Sequence, residues 1–167
     1  MAEPNEESGL LSIFFASMQP FNKGDNKKSI LISGCSSGIG LSSAKALSLR
    51  RWEVFAGCRK QKAVQPLQGS GLNATRFVYT DQKRIKEAVN KVLTKTNGRL
   101  DALFNNGAYA IPGALEDMPT EAIRAIFETN VFGWHSLTRA VIPTMRSQGH
   151  GRIIQCSSIL SFVALAY

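Results

Sequence analysis

The sequence predicts an α/β protein built on an open parallel sheet with helices on both faces. From Lys27 onward, short apolar runs alternate with longer stretches in which apolar residues recur at helical spacing. A glycine-rich turn follows the first run, where a buried strand would pass into a helix. No apolar run approaches the roughly 18 residues that a membrane helix needs. We therefore expect a soluble, cytoplasmic protein of about one domain.

Five short apolar runs, each bounded by polar or turn residues, predict five strands. They cover residues 29–33, 54–57, 76–80, 100–104 and 152–156. Parallel strands need crossover connections, which are right-handed in nearly all proteins. The five runs therefore predict a doubly wound sheet, in which ligands bind at the carboxyl ends of the strands.

Helical spacing of apolar residues predicts the connections between the strands. A helix over residues 39–50 follows the glycine-rich turn, and Asp81 is placed to cap a second helix. The apolar residues that share one face of that second helix are Ile85, Val89, Val92 and Leu93. Apolar spacing is sustained over most of residues 120–147, which predicts one long helix that Pro143 ends or kinks near its last turn.

Charge and composition differ between parts of the chain. Residues 1–26 have no sustained period, and we expect them to form a flexible N-terminal tail. The formal net charge is +8, and residues 27–99 hold 15 Lys and Arg against 3 Asp and Glu. A basic half suits a polyanionic cofactor. No aromatic residues interleave a basic run, so we expect no nucleic-acid partner.

The cysteines and histidines do not have the spacing of a metal site. Cys35, Cys58 and Cys156 form no Cys-x-x-Cys pair, and the two histidines are His135 and His150. We expect no bound metal, and we expect the cysteines to be buried, reduced thiols.

The turn after the first strand predicts a phosphate-binding loop. Residues 33–40 read Ser-Gly-Cys-Ser-Ser-Gly-Ile-Gly, and a helix begins at once. Gly34 permits a tight turn, Gly38 lets the backbone approach a pyrophosphate, and Gly40 allows the helix to pack close to the strand. No Lys-Ser/Thr pair follows the last glycine, so the loop is not a Walker loop.

Two further positions lie where predicted strands end. Asn105, Asn106 and Gly107 follow the fourth strand; amide side chains there can hold neighbouring backbone, while glycine leaves room for a flat ligand. Arg59 and Lys60 follow the second strand, where the adenosine ribose of a dinucleotide would arrive, with no acidic residue to accept from a 2′-hydroxyl. A cation at that place favours a 2′-phosphate, so we expect NADP(H) in preference to NAD(H).

Four motifs in order resemble the short-chain dehydrogenase/reductase family. They are Gly34-x-x-x-Gly38-Ile39-Gly40, Asn105-Asn106-Gly107-Ala108, Asn130 within residues 128–133, and Gly-Arg-Ile-Ile-Gln-Cys-Ser-Ser over residues 151–158. The resemblance implies that residues 27–167 form a Rossmann-type dinucleotide-binding domain, incomplete because the family's later strands are missing. It also implies hydride transfer between a nicotinamide cofactor and a small-molecule carbonyl or alcohol.

The resemblance also implies roles for residues that match the family motifs. Asn130 would hold an active-site water and backbone, and Ser158, in preference to Ser157, would hydrogen-bond the substrate oxygen. The residues implied for cofactor binding are Gly34, Ser36, Ser37, Gly38, Ile39, Gly40, Asn106 and Gly107. Arg59 is added to them because of its positive charge. Val78 stands where the family usually has an Asp that contacts adenine, and the lost hydrogen bond would cost about 1 kcal/mol.

The family's proton source is a Tyr followed three residues later by a Lys, about a dozen residues beyond the serine. Tyr167 comes too soon after Ser158 and has no Lys behind it, so we expect it to be a flanking residue. We therefore expect a truncated chain that is inactive as it stands.

Two other hypotheses are compatible with the same residues. One is a non-catalytic dinucleotide-binding or interaction module, and the other is a chain without a stable independent fold. A sheet that stopped after the fifth strand would also leave Ile153 and Ile154 on an unprotected edge. Self-association through that edge is therefore expected, which makes a homo-oligomer a further prediction.

Overall fold

The structure is a computed structural model that describes residues 27–163. Five parallel strands form one sheet in the order β3-β2-β1-β4-β5. The strands are β1 (Ser29–Ile32), β2 (Glu53–Cys58), β3 (Asn73–Arg76), β4 (Ala102–Asn105) and β5 (Arg152–Gln155). The predicted α/β fold with a doubly wound parallel sheet is thus confirmed. The expected tail over residues 1–26, and Tyr167, lie outside the described residues.

Helices form the crossovers between the strands. They are α1 (Gly38–Leu49), α2 (Val64–Gly69), α3 (Gln82–Lys95), α4 (Thr120–Phe127) and α5 (Trp134–Ser147). A π-helix, Glu128–Gly133, joins α4 to α5, and short 3₁₀ turns cover Gln61–Ala63, Leu115–Asp117 and Ile159–Ser161. Asp81 caps α3 as predicted, because its carboxylate accepts hydrogen bonds from the backbone N–H groups of Lys83 and Arg84 at 3.0 and 3.1 Å.

The sheet separates two apolar cores. Successive side chains of a strand point to opposite faces, so Ile30 and Ile32 of β1 pack with α1 and α2, while Leu31 packs with α3 and α5. The strand order reverses between β1 and β4, since β2 and β3 lie on one side of β1 and β5 lies beyond β4. The loops after β1 and β4 therefore meet at the switch point, where ligands bind in such sheets.

The third strand was predicted at residues 76–80, and this prediction was wrong. Strand β3 pairs with β2 from Phe55↔Asn73 to Cys58↔Arg76, and the chain leaves the sheet beyond Phe77. Phe77 and Tyr79 are buried because they pack beneath the sheet with α3 and α5, not because they belong to a strand. The edge strand itself is polar, so its sequence carried no apolar signal.

The chain is helical without a break over residues 120–147, as predicted, but part of this helix has a different geometry. The π-helix occupies Glu128–Gly133, and α5 continues through Pro143 to Ser147 without ending there. Sequence analysis also missed α2, which is only six residues long, contains Pro66 and buries only Val64 and Leu67.

Strand β5 forms one edge of the sheet within residues 27–163. Its Ile153 and Ile154 are half-buried, and the segment that follows exposes apolar side chains, among them Ile159 and Phe162. Self-association through this edge stays a prediction. No helix in the described part of the chain is both long and apolar enough to cross a membrane.

Asp101 joins three segments at the amino ends of the central strands. Its side chain is 8% exposed and accepts hydrogen bonds from Ser29 N at 2.7 Å and His150 Nε2 at 2.9 Å, with Arg99 at 3.3 Å. Burial alone would raise the pKa of this carboxyl, but the hydrogen bonds from Ser29 and His150 and the Arg99 charge outweigh it. The pKa of Asp101 therefore lies below its ordinary value.

This depressed pKa predicts a stability loss in acid. Asp101 contributes stability that is fully present above its unfolded pKa of about 3.9 and is lost as the pH falls through the lower folded value. We expect Asp101→Asn to show a shallower fall in unfolding free energy on acidification, measured by urea denaturation at a series of pH values. Glu116→Gln, an exposed carboxylate in a 3₁₀ turn, should keep the wild-type acid dependence. Identical curves for Asp101→Asn and wild type would contradict this prediction.

Candidate functional site

A cleft of about 680 Å³ lies at the carboxyl ends of β1 and β4. Its walls come from the loop after β1, the loop after β4 and the segment after β3. Of the residues predicted to bind a cofactor, those that line it are Gly34, Ser36, Ser37, Arg59, Asn106 and Gly107. The structure thus brings together residues from three separate parts of the sequence.

The loops after β1 and β4 cross with their backbones in contact. Gly34 has φ +72°, and a Cβ atom on it would lie 2.6 Å from the Cα atom of Gly107. A Cβ atom on Gly40 would lie 2.6 Å from the carbonyl oxygen of Gly34. Both positions therefore exclude any side chain, and the crossing forms the floor of the cleft.

The amino end of α1 opens beside this crossing. Its N-cap residue, Ser37, makes no side-chain capping bond, and the first turn holds no acidic residue. The N–H groups of the first turn have no acceptor within the helix, and the helix dipole favours negative charge there. Gly38 and Ile39 are exposed at this end and Gly40 is buried, and none of the three lines the cleft. This end of the helix can bind an anionic group.

Hydrogen bonds with Ser33 and Trp134 fix the backbone of Asn106 and Gly107. Ser33 Oγ accepts hydrogen bonds from the N–H groups of Asn106 and Gly107 at 3.0 and 3.1 Å. Asn106 Nδ2 donates to the carbonyl oxygen of Ser33 at 3.1 Å, and Trp134 Nε1 donates to that of Gly107 at 2.9 Å. These bonds fix one wall of the cleft.

Arg59 lies between the cleft and a second cavity of about 430 Å³. This second cavity is also lined by Ser36, Lys60 and Lys62, and by no acidic residue. Within residues 27–163, no ion pair or hydrogen bond engages the Arg59 guanidinium. The cavity therefore presents several unneutralised cations to a ligand that extends from the cleft.

The segment after β3 supplies an apolar part of the wall. Phe77 and Val78 line the cleft beside Thr80, and Val78 is half-buried. The next acidic residue, Asp81, uses its side chain to cap α3. A flat apolar ring would pack against this wall without a carboxylate partner.

Asn130 lies in the π-helix and holds the loop after β4. Its Nδ2 donates to the carbonyl oxygen of Tyr109 at 2.8 Å, and its Oδ1 accepts from the Tyr109 N–H at 3.2 Å. Asn130 does not line the cleft, but its neighbour Thr129 and Tyr109 both do. Its side chain therefore acts on backbone, and the expected water contact stays a prediction.

The structure does not bring Ser158 into the wall of the cleft. Ser158 is exposed and caps the last 3₁₀ turn, where its Oγ accepts from the N–H of Leu160 at 3.2 Å. Ser157 Oγ lies 2.9 Å from Ser161 Oγ. The proposed contact of Ser158 with a substrate oxygen stays a prediction.

Cys35 is the one cysteine in the glycine loop, and its surroundings do not favour a nucleophilic thiolate. Burial raises the pKa of its thiol to about 12, with a further contribution from nearby Cys58. A thiol of this pKa carries almost no thiolate near neutral pH. Cys35 and Cys58 are buried free thiols, as predicted, whereas Cys156 is only half-buried.

Comparison with known proteins identifies the family that has this arrangement of strands and loops. The family model for short chain dehydrogenases matches residues 28–167. This chain belongs to the short-chain dehydrogenase/reductase family. Its members are oxidoreductases that bind nicotinamide dinucleotides, which agrees with the sequence-based expectation.

Individual short-chain dehydrogenases and related oxidoreductases are similar to this chain in sequence or in structure. The Escherichia coli oxidoreductase YbbO is 34% identical over 138 residues, which cover 83% of this chain and 51% of that protein. A short-chain dehydrogenase from Streptomyces avermitilis superposes with a TM-score of 0.78 at 32% identity, covering 86% of this chain and 54% of that one. An actinorhodin polyketide ketoreductase with NADPH superposes with a TM-score of 0.77 at 26% identity. The match covers 84% of this chain and 56% of that one. The chain spans about half the length of the curated relatives it matches.

Two side chains that shape this cleft were not predicted from the sequence. Tyr79 was assigned to a strand, although it lines the cleft and packs under Gly107. Trp134 was assigned only to a helix face, although its indole N–H holds Gly107. Both act across long sequence separations, so no local pattern could have revealed them.

Proposed function

We propose that this chain carries the dinucleotide site of an NADP(H)-preferring short-chain dehydrogenase/reductase. The observation that carries the proposal is the cleft at the β1–β4 switch point, which Arg59 connects to a cavity lined by cations. Bound NADPH in the actinorhodin polyketide ketoreductase supports the same preference.

The residues around the cleft fit each part of such a dinucleotide. The free N–H groups at the amino end of α1 suit the pyrophosphate. The apolar wall of Phe77 and Val78 suits the adenine ring, and Arg59 suits a 2′-phosphate. The Gly34–Gly107 crossing leaves the floor free of side chains. When bound, the nicotinamide gives or takes a hydride at a carbon of a carbonyl or alcohol.

The residues proposed for catalysis are Ser158, which would donate a hydrogen bond to the substrate oxygen, and Asn130. A carbonyl that accepts hydride also needs a proton source. None of the three tyrosines of the 167-residue sequence is followed three residues later by Lys. We therefore propose that this chain binds the dinucleotide without turning it over. The alternative is that the protein as a whole is a non-catalytic dinucleotide-binding or interaction module and not an oxidoreductase.

The substrate of the whole protein is proposed only by class, as a small-molecule carbonyl or alcohol. A cytoplasmic location and a homo-oligomeric state also stay predictions.

Titration of the 167-residue chain with NADPH tests the proposed function. Energy transfer from the tryptophans to the reduced nicotinamide should saturate, because Trp134 is bonded to the wall of the cleft. Nicotinamide absorbance should stay constant when a panel of ketones and aldehydes is added. Absence of saturable binding would overturn the dinucleotide site, and steady oxidation of NADPH would overturn the proposed lack of turnover.

The cofactor preference predicts an unequal effect of removing the Arg59 charge. Arg59→Ala should weaken NADPH binding by about tenfold or more, the scale of one charge-assisted hydrogen bond, and should change NADH binding little. Lys86→Ala removes an exposed cation from α3, away from both cavities, and should leave the two affinities unchanged. Equal losses for NADPH and NADH in Arg59→Ala would exclude a 2′-phosphate contact at this residue.

A further inference from the structure

A buried chain of hydrogen bonds runs beneath the cleft, and Tyr79 lies at its centre. Tyr79 is 7% exposed, and its hydroxyl contacts Ser33 Oγ and donates to Asn105 Oδ1 at 3.2 Å. Asn105 Nδ2 in turn donates to Thr138 Oγ1 of α5 at 3.1 Å. These hydrogen bonds therefore connect the end of β1, the end of β4 and helix α5.

The hydrogen-bonding capacity of Ser33 sets the direction of this chain. A serine hydroxyl has one proton and two lone pairs. The N–H groups of Asn106 and Gly107 can only donate, so they occupy both lone pairs. The Tyr79 proton is directed to Asn105, which leaves the Tyr79 hydroxyl oxygen as the nearer acceptor for the Ser33 proton; the Phe104 carbonyl oxygen, at 3.3 Å, is the more distant one. Tyr79 therefore accepts a hydrogen bond from Ser33 and donates one to Asn105.

The ring of Tyr79 also supports Gly107 from below. A Cβ atom on Gly107 would lie 3.3 Å from Tyr79 Cε2, a closer approach than ordinary van der Waals contact, so the ring lies directly against this glycine. Burial raises the pKa of Tyr79 above its ordinary value, so the phenol stays protonated and keeps its donor. Gly107 is thus held at its N–H by Ser33, at its carbonyl oxygen by Trp134 and along one face by Tyr79.

We propose that Tyr79 is a positioning residue of the dinucleotide site, which acts through Ser33. By accepting the Ser33 proton, Tyr79 orients the serine hydroxyl so that its lone pairs face the Asn106 and Gly107 amides, and so fixes the wall against which the dinucleotide packs. This inference rests on the proposed function, because it assigns Tyr79 a role in binding that cofactor.

The test uses Tyr79→Phe, which keeps the ring and removes the hydroxyl. The measurements are made in a Trp52→Phe parent, so that Trp134 is the single tryptophan. Loss of the hydrogen bond between Tyr79 and Ser33 should raise the dissociation constant for NADPH about tenfold. Without ligand, Trp134 emission should move to longer wavelength, because its bond to the Gly107 carbonyl loosens.

Two further variants separate positioning from a general loss of stability. Val92→Ala opens a cavity in the same core on α3, so it should lower the melting temperature while leaving NADPH affinity and Trp134 emission unchanged. Ser33→Ala removes the residue through which Tyr79 acts. Adding Tyr79→Phe to Ser33→Ala should therefore produce much less than the product of the two single losses in affinity.

The possible outcomes distinguish this inference from the proposed function. If the parent fails to bind NADPH, the proposed function fails and the assigned cofactor role of Tyr79 fails with it. If the parent binds NADPH and Tyr79→Phe binds it equally well, the inference fails while the proposed function stands. Full multiplication of the two losses in the double variant would overturn the route through Ser33.

Discussion

Replacing Gly34 with alanine is expected to remove most NADPH binding and to destabilise the fold. Gly34 has φ +72°, and its Cβ atom would lie 2.6 Å from Gly107 Cα and 2.9 Å from Asn106 Nδ2. Gly107 cannot retreat without breaking its bonds to Ser33 and Trp134. The left-handed conformation and the overpacking together predict a loss of about 2–4 kcal/mol of unfolding free energy. A displaced wall should weaken NADPH binding by about a hundredfold.

Gly71→Ala is the matched control for this variant. Gly71 also has positive φ, at +84°, but a Cβ atom on it would meet nothing within 4 Å. Its substitution should therefore show the conformational cost alone, about 1 kcal/mol, with unchanged NADPH affinity. Urea denaturation and NADPH titration of the two variants give the comparison. If Gly34→Ala matched Gly71→Ala in both measurements, the close crossing of the two loops would have no role in binding.

Gly133→Ala is expected to cause the second large effect. Gly133 is buried at the end of the π-helix, where a Cβ atom would collide with Tyr79 Cβ and lie 2.9 Å from Tyr79 Cγ. Because Tyr79 Cβ is fixed by its own backbone, the π-helix itself must shift. We expect a loss of about 2–3 kcal/mol in unfolding free energy, and weaker hydrogen bonds between Asn130 and Tyr109. Urea denaturation measures the first effect.

Gly69→Ala gives the corresponding baseline. Gly69 ends α2, and a Cβ atom there would meet nothing within 4 Å. Alanine is a better helix former than glycine, so this variant should be neutral or more stable by up to about 1 kcal/mol. A Gly133→Ala protein as stable as Gly69→Ala would show that the helix can rotate away from Tyr79 at no cost.

The sheet and its loops could be predicted because their causes are local in the sequence. Apolar runs mark β1 and β4, where both faces are buried, and Asp81 marks the start of α3 through a single capping interaction. The glycine loop was predicted from its position between a strand and a helix. Six of the nine residues assigned to the cofactor line the cleft.

The parts that sequence analysis missed depend on packing partners far along the chain. Strand β3 is polar because it lies at an edge, and its position is set by hydrogen bonds to β2. The π-helix covers only six residues between two α-helices, which is too short a stretch for its different periodicity to leave a signal in the sequence. Tyr79 gained its role from Ser33 and Asn105, which are distant in sequence.

The strand order also dictates how the protein is assembled as it is synthesised. All three strands of the β3-β2-β1 half are available for pairing once residue 76 has left the ribosome. The other edge of β1 then stays open until β4 emerges at residues 102–105. That edge belongs to a fully buried Ser-Ile-Leu-Ile strand, a sequence prone to pairing with other nascent chains or to chaperone capture. The cleft needs both strands, so it cannot form before residues 102–105 have been synthesised.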